Sequence, residues 1–186
     1  MYTSEPGNWK QEVVRAQKME SEEESVGNRQ RKDNHPSVDL PLDILQQSFG
    51  LSNFRSGQSA VIKRLLQGKN VAAVFPTGGG KSLCYQLPSQ MLSGTTVVVS
   101  PLIALMKDQV EALQKRGIPA YFLNSTLDLA EYEEIILRLY RGDIRLLYIA
   151  PETLMKPSIR GMLCSLAVDC LAIDEAHCIS EWGDEF

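Results

Sequence analysis

Cysteine and histidine are scarce in this chain of 186 residues, which has four cysteines and two histidines. The cysteines form no C-x-x-C pair, and neither histidine stands at the spacing of a zinc ligand, so we expect reduced thiols rather than disulfides or a zinc site. No run approaches the ~20 apolar residues that cross a bilayer. No apolar signal segment opens the chain either. These absences predict an intracellular protein with no membrane partner.

An excess of positive charge is also missing. Nineteen Lys and Arg residues stand against 23 Asp and Glu residues, a net charge of −4, so any contact with nucleic acid must be local. The hydrophobic content of 44% is enough for one core. Residues 1–39 hold six basic and eight acidic side chains and few apolar ones, which predicts a disordered polar extension.

Beyond that extension, short apolar runs alternate with longer helix-like segments. The runs predict five strands, and the segments between them predict five helices, with Asp128 as an N-cap and with Gly117 and Gly142 just past helix ends. The strand predictions are 70–75, 95–100, 119–123, 145–150 and 168–173, and the helix predictions are 57–67, 81–92, 103–116, 128–141 and 157–166. Such alternation favours an α/β fold with a parallel sheet and helices on both faces.

A glycine-rich loop follows the first predicted strand and precedes a helix. Backbone N–H groups of such a loop can surround phosphate oxygens, a lysine can reach the outer phosphates, and a serine hydroxyl can hold Mg²⁺. The strict motif begins with glycine, whereas Phe75 stands there, and the alternative is a glycine-rich turn with an incidental lysine. The phosphate-binding residues predicted here are Thr77, Gly78, Gly79, Gly80, Lys81 and Ser82, with Ser82 also a metal ligand.

Two adjacent acids follow the fifth predicted strand. At the carboxyl end of a parallel strand, Asp174 is placed to hold Mg²⁺, and Glu175 to deprotonate an attacking water. The alternative is an exposed turn with solvated charges. His177 is ambiguous between a structural residue and a relay to bound nucleic acid, and we count it with Lys81 and the two acids as a catalytic candidate.

Several sequence segments, in the order in which they follow one another, resemble the RecQ-type DNA helicases of superfamily 2. They are FRSGQ at 54–58, PTGGGKSLCYQLP at 76–88, SPLIALMKDQV at 100–110, LNST at 123–126, YIAPETL at 148–154 and DEAHCIS with EWG at 174–183. The resemblance implies a RecA-like first motor domain over residues 40–186, cut short after the DEAH segment. It further implies an ATP-dependent 3′-to-5′ helicase that uses ATP and Mg²⁺ and serves DNA repair and recombination, in the nucleus if the source is eukaryotic.

The same resemblance implies further site residues. Gln58 would read the adenine edge, and Arg55 would lie against the base or the phosphates. Single-stranded or forked DNA would be the partner. The residues implied for nucleic acid are Pro101, Leu102, Asn124, Ser125, Trp182 and Phe186. Packing of a helix face in the core is the alternative for Leu102, with Leu105, Met106 and Val110, and an ordinary turn is the alternative for Asn124 and Ser125.

The chain departs from the family near its last residues. Glu181, Asp184 and Glu185 stand in the loop that senses DNA in the resembling proteins, and their charge would repel phosphates. A second motor domain with its arginines is missing, and so is the strand that in the resembling fold lies between the phosphate-loop strand and the DEAH strand. We therefore expect weak hydrolysis at most. A catalytically silent ATP- or DNA-binding fragment is the second hypothesis, and a kinase or GTPase is disfavoured because Gln58 would have no role there.

Overall fold

The computed structural model describes residues 40–176, and its centre is a four-stranded parallel sheet. The strand order is β2-β3-β1-β4, and every neighbouring pair is parallel. The strands are β1 Thr95–Val99, β2 Ala120–Leu123, β3 Leu146–Ile149 and β4 Val168–Ile173. Four of the five predicted strands are therefore confirmed. The predicted extension over 1–39 and the segment from His177 onward lie outside the described residues.

Seven α-helices and one short 3-10 helix are found between residues 40 and 176. They are α1 Leu42–Phe49, α2 Gln58–Leu66, α3 Leu83–Gln86, the 3-10 helix Pro88–Gln90, α4 Ile103–Gln114, α5 Leu129–Arg141, α6 Pro151–Leu154 and α7 Pro157–Cys164. Four predicted helices are confirmed as α2, α4, α5 and α7. Within this part of the chain, no helix has the length and apolarity that a membrane span requires.

The helix predicted over 81–92 is shorter than expected. The α-helix ends at Gln86 and the chain continues from Pro88 as a 3-10 helix, because proline has no backbone N–H to continue the α-helical hydrogen bonds. Two short helices were not predicted. Helix α1 has only eight residues and α6 only four, too few to show a clear apolar period.

The predicted helix signals at the ends of α4 and α5 are confirmed. Asp128 accepts a hydrogen bond from the Glu131 backbone N–H at 2.8 Å, and the Glu131 carboxylate accepts one from the Asp128 N–H at 3.1 Å, which makes a complete capping box. Gly142 then ends α5 with φ +75°, in the left-handed region. Gly117 has the same φ just past the end of α4.

The strand predicted over 70–75 is wrong. Residues 70–76 have no regular secondary structure, and the side chain of Val74 is 79% exposed. Among the described residues the sheet ends at β4, and no ladder joins this segment to it. The apolar composition of NVAAVF suits a strand, but a strand forms only where a neighbouring strand supplies backbone partners.

Apolar side chains fill both faces of the sheet. Alternate residues of β1 and β3 point to opposite faces, so Val98 and Tyr148 belong to one cluster while Val97 and Leu147 belong to the other. Helices α1 to α4 supply the first cluster, and α5 and α7 supply the second. The predicted coverage of the sheet by helices on both faces is confirmed. Cys84, Cys164 and Cys170 are free thiols.

Candidate functional site

The predicted phosphate-binding loop lies between the extended segment 70–76 and helix α3. Its turn is closed by a hydrogen bond from the Gly79 N–H to the Pro76 carbonyl at 2.9 Å. Gly78 and Gly80 have φ of +74° and +80°, which favours glycine at both positions. At Gly80 a Cβ would also meet the Gln58 amide nitrogen at 2.5 Å, so no larger residue fits while Gln58 keeps its place.

Two predicted base-reading residues hold this loop from the side of α2. The Gln58 side chain, only 2% exposed, donates its amide N–H to the Gly80 carbonyl at 3.0 Å and accepts from the Arg55 backbone N–H at 2.8 Å. The Arg55 guanidinium donates to the Gly78 carbonyl. The structure thus brings Arg55 and Gln58 together with the loop, and each already has a loop carbonyl as partner.

The loop lysine meets the second acid of the DEAH segment. Lys81 Nζ lies 2.7 Å from Glu175 Oε1, which joins residues 94 positions apart in the chain. The hydrogen bond with Glu175 raises the pKa of Lys81, against a smaller opposing effect of burial. Glu175 has a positive φ of +52°. Among residues 40–176 it is the one non-glycine residue with a positive φ. The backbone there is held in a conformation that turns the carboxylate toward the loop.

The first acid is buried at the carboxyl edge of the sheet. Asp174 is 6% exposed, and its backbone N–H donates to the Val99 carbonyl at 2.9 Å, which places it where β1 and β4 end. Its Oδ2 accepts a hydrogen bond from the Tyr85 hydroxyl at 3.2 Å, and its Oδ1 accepts from the Glu175 N–H at 3.1 Å. The predicted convergence of loop and acids at this edge is therefore seen in the structure.

The donors at this edge fit a magnesium ion that arrives with phosphate. Mg²⁺ is usually held by one or two carboxylates together with phosphate oxygens and water rather than by a cage of protein ligands. Asp174 offers one carboxylate, and Ser82 is the N-cap residue of α3, directly after Lys81. Residues 40–176 contain no cluster of three or more His, Cys, Asp or Glu that could hold a metal without such a ligand.

Polar residues that the sequence analysis did not select surround Asp174. Tyr85, Gln86, Gln109 and Tyr148 form one hydrogen-bonded group behind the acid. A signal for Gln109 was present, because it stands three residues after Met106 and next to Val110 on the buried face of α4. A carboxamide on an otherwise apolar face indicates a buried polar contact.

Four of the residues proposed for nucleic acid lie at the same edge of the sheet. Pro101 and Leu102 directly precede α4, and Leu102 is 52% exposed, so its side chain is outside the core. Asn124 and Ser125 follow β2. The Asn124 Oδ1 accepts from the backbone N–H and the hydroxyl of Thr126, which is the ordinary turn given as the alternative.

This turn uses the side-chain oxygen of Asn124 but not its amide nitrogen. Its Nδ2 is buried and has no hydrogen-bond partner among the described residues, and the same is true of the Thr153 hydroxyl. Both side chains line a cavity of about 430 Å³, together with Ser125 and Lys156. The predicted candidates His177, Trp182 and Phe186, with the acidic residues Glu181, Asp184 and Glu185, lie outside the described residues.

Comparisons with known proteins agree with these features. The family model described as DEAD/DEAH box helicase matches residues 55–186. "ATP-dependent DNA helicase RecQ" of Bacillus subtilis is 48% identical over 144 residues, which are 77% of this chain and 24% of the relative. The RecQ helicase of Pasteurella multocida is 44% identical, over 83% of this chain and 26% of the relative. "ATP-dependent DNA helicase Q-like 2" of Arabidopsis thaliana is 41% identical, over 77% and 21%.

A solved structure shares the fold. The hypothetical ATP-dependent RNA helicase from Sulfolobus tokodaii is 27% identical, with a TM-score of 0.60 over 76% of this chain and 43% of that chain. The chain spans about a quarter of the length of the curated relatives it matches.

Proposed function

The chain belongs to the DEAD/DEAH box helicase family, and from this premise we propose that it is the nucleotide-binding part of a RecQ-type, ATP-dependent 3′-to-5′ DNA helicase. The observation that carries the proposal is the contact of Lys81 with Glu175 at 2.7 Å, because it places the phosphate-binding loop beside the acids that would run hydrolysis. DNA repair and recombination are the processes we propose for it. In a eukaryotic cell such an enzyme would act in the nucleus.

ATP binding would replace contacts that the site already makes. Lys81 would turn from Glu175 to the outer phosphates, and the loop N–H groups of residues 77–82 would surround their oxygens. Gln58 can bond the adenine edge through both atoms of its carboxamide, with Arg55 alongside. Mg²⁺, held by Ser82 and Asp174, would neutralise charge on the phosphates.

Hydrolysis would begin at the carboxylate that Lys81 releases. Freed from the ion pair, Glu175 is the group placed to take a proton from water that attacks the terminal phosphate. His177 is the proposed relay from this site to bound nucleic acid. A second motor domain would supply the arginines that speed the reaction.

Single-stranded or forked DNA would cross the carboxyl edge of the sheet. Pro101 and Leu102 offer the start of α4 to phosphates, while the unpaired Nδ2 of Asn124 and the exposed Ser125 offer donors to the next phosphate. Trp182 and Phe186 are proposed to stack on bases. This arrangement supports a local nucleic-acid contact on a chain whose net charge is −4.

A silent nucleotide- or DNA-binding fragment is the second candidate. The contact of Lys81 with Glu175 favours this second candidate in one respect, because it engages the lysine ammonium group that the phosphates of ATP would need. The two candidates differ in turnover and agree in binding.

The test is ATP hydrolysis by the purified chain with and without single-stranded DNA. We expect slow hydrolysis that DNA stimulates, and we expect Lys81→Ala and Glu175→Gln to abolish it. Removal of a general base lowers rates by about 10²- to 10⁴-fold. Folded protein that binds ATP without turnover would instead support the silent fragment, and hydrolysis that survives both substitutions would contradict the assigned site.

A further inference from the structure

A buried group of polar side chains links the acid at the end of β4 to helix α4. Tyr85 and Gln86 come from α3, Gln109 from α4 and Tyr148 from β3, and Asp174 closes the group. Tyr148 is fully buried, and Tyr85 and Gln86 are 7% and 8% exposed. The rings of Tyr85 and Tyr148 meet edge to face at 6.4 Å, which fixes both hydroxyls in place.

The two ends of this group belong to different parts of the site. Asp174 is the proposed metal ligand, whereas α4 begins directly after Pro101 and Leu102, the residues proposed for DNA. Gln109 stands in the second turn of the same helix. A displacement of α4 by bound DNA would therefore move a side chain that is two hydrogen bonds away from the acid.

Counting protons shows that the group cannot make all its bonds at once. The Gln109 Oε1 lies within hydrogen-bond distance of three donors, the Tyr148 hydroxyl at 2.8 Å, the Gln86 amide at 3.2 Å and the Tyr85 hydroxyl at 3.2 Å. A carboxamide oxygen has two lone pairs. When Tyr148 and Gln86 occupy both, the one proton of Tyr85 is left for Asp174 Oδ2, also at 3.2 Å.

An alternative arrangement would use the same side chains. If Gln109 moves so that Tyr85 becomes one of its two donors, Asp174 loses the hydroxyl and its Oδ2 becomes free for another partner. The Tyr85 hydroxyl has one proton, so it can donate to only one of these two acceptors at a time. Coupling between two sites requires an element with two discrete arrangements. Here that element would be the hydrogen bond of the Tyr85 hydroxyl, to Asp174 or to Gln109.

We infer that Tyr85 and Gln109 are positioning residues that couple DNA binding at α4 to nucleotide and metal binding at Asp174. This inference rests on the proposed function, and it adds the route by which one ligand affects the other. Neither residue touches ATP or DNA in this account. Their substitution should change the coupling and leave each separate affinity nearly unchanged.

The experiment measures binding alone, so it does not depend on turnover. A fluorescent, non-hydrolysable ATP analogue with Mg²⁺ is titrated into the 186-residue chain with and without saturating oligo-dT, and the ratio of the two Kd values is the coupling. For the parent chain we expect a ratio of about 5 or more in either direction. Tyr85→Phe, which keeps the ring, should bring the ratio toward one by about 2- to 30-fold.

A second variant and a control separate coupling from structure. Gln109→Met tests the same link from the other end, and the double variant should lose no more coupling than either single one. Tyr140→Phe removes a hydroxyl from an exposed ring on α5 and should keep the parental ratio. Thermal unfolding followed by circular dichroism checks that every variant is folded.

The outcomes are distinguishable. A folded parent chain that binds neither ligand contradicts the proposed function, and this inference falls with it. A parent that binds both ligands with a ratio of one overturns the inference and leaves the proposed function standing. Variants that keep the parental ratio, or that lower it additively, also overturn the inference.

Discussion

The two sides of the sheet are built differently. On the β2-β3-β1 side the strands are covered on both faces, and Val97 and Leu147 are at most 1% exposed. On the other side, Leu171 of the edge strand β4 is 59% exposed. Val74, in the irregular segment before the loop, is 79% exposed. The acids Asp174 and Glu175 directly follow β4. Hydrophobic burial therefore holds the scaffold, and polar contacts hold the site.

Those polar contacts each join segments far apart in the chain. Gln58 bridges α2 to the loop, Lys81 bridges the loop to the end of β4, and Tyr85 bridges α3 to Asp174. A net hydrogen bond contributes about 0.5–1.5 kcal/mol, less than the burial of one large apolar side chain. The difference between the two sides predicts an order of effects for substitutions.

The largest loss of stability is expected on the covered side. Leu147→Ala removes a fully buried side chain from β3 and should lower the free energy of unfolding by about 2–5 kcal/mol. The matched control is Leu171→Ala on β4, expected to cost less than about 1 kcal/mol because the side chain is mostly exposed. Urea unfolding measures both. Equal losses for the two variants would remove the distinction between the sides.

The next effect concerns the contact that holds the loop. Gln58→Glu replaces an amide that donates to the Gly80 carbonyl at 3.0 Å by a carboxylate that cannot donate. The buried carbonyl and carboxylate would then face each other, at a cost of about 1–3 kcal/mol in urea unfolding. Gln67→Glu, at the exposed end of α2, is the control. A stability unchanged by Gln58→Glu would show that this side chain does not hold the loop.

A smaller effect is expected for a polar contact on the covered side. Asp128→Ala removes the side chain that caps α5 and should cost about 1 kcal/mol. Glu133→Ala, exposed within the same helix, should be nearly neutral. Thermal or urea unfolding compares them. A loss for Asp128→Ala as large as that of Leu147→Ala would contradict the view that burial dominates on this side.

The smallest effect is the pH dependence of the Lys81–Glu175 pair. Glu175 raises the pKa of Lys81 above 10.5, so the pair contributes fully below that pH and loses its contribution as the pH rises through the folded value. The stability difference between the parent and Lys81→Gln should therefore shrink at high pH. Because both side chains are partly exposed, we expect less than about 1 kcal/mol. Lys63→Gln, on the exposed side of α2, controls for the loss of one charge, and a gap that widens with pH would contradict the assignment.

Sequence patterns predicted the scaffold because its signals are local. TTVVVS and RLLYIA indicated β1 and β3, and Asp128 with Gly142 marked the ends of α5. The run NVAAVF carried the same signal and forms no strand, since pairing depends on a neighbour rather than on composition. Local pattern cannot supply that neighbour.

The position of the acids at the carboxyl edge of the sheet could be predicted from the order of strands and helices. Parallel strands bring their carboxyl ends to one edge, and this rule placed Asp174 beside the end of β1. It does not account for the contact of Lys81 with Glu175, because the segment before the loop forms no strand. The group around Tyr85 and Gln109 was missed because these side chains meet only through the packing of α3, α4 and β3. No spacing in the chain records such a contact.

The most direct test of the central claim is calorimetric titration of the chain with a non-hydrolysable Mg²⁺–ATP analogue. We predict saturable binding by the parent and by Glu175→Gln, and an affinity about 10- to 100-fold lower for Lys81→Ala, since hydrogen bonds to a charged group contribute about 1.5–3 kcal/mol. Equal affinity of Lys81→Ala and the parent, or no binding by a folded parent chain, would contradict the account.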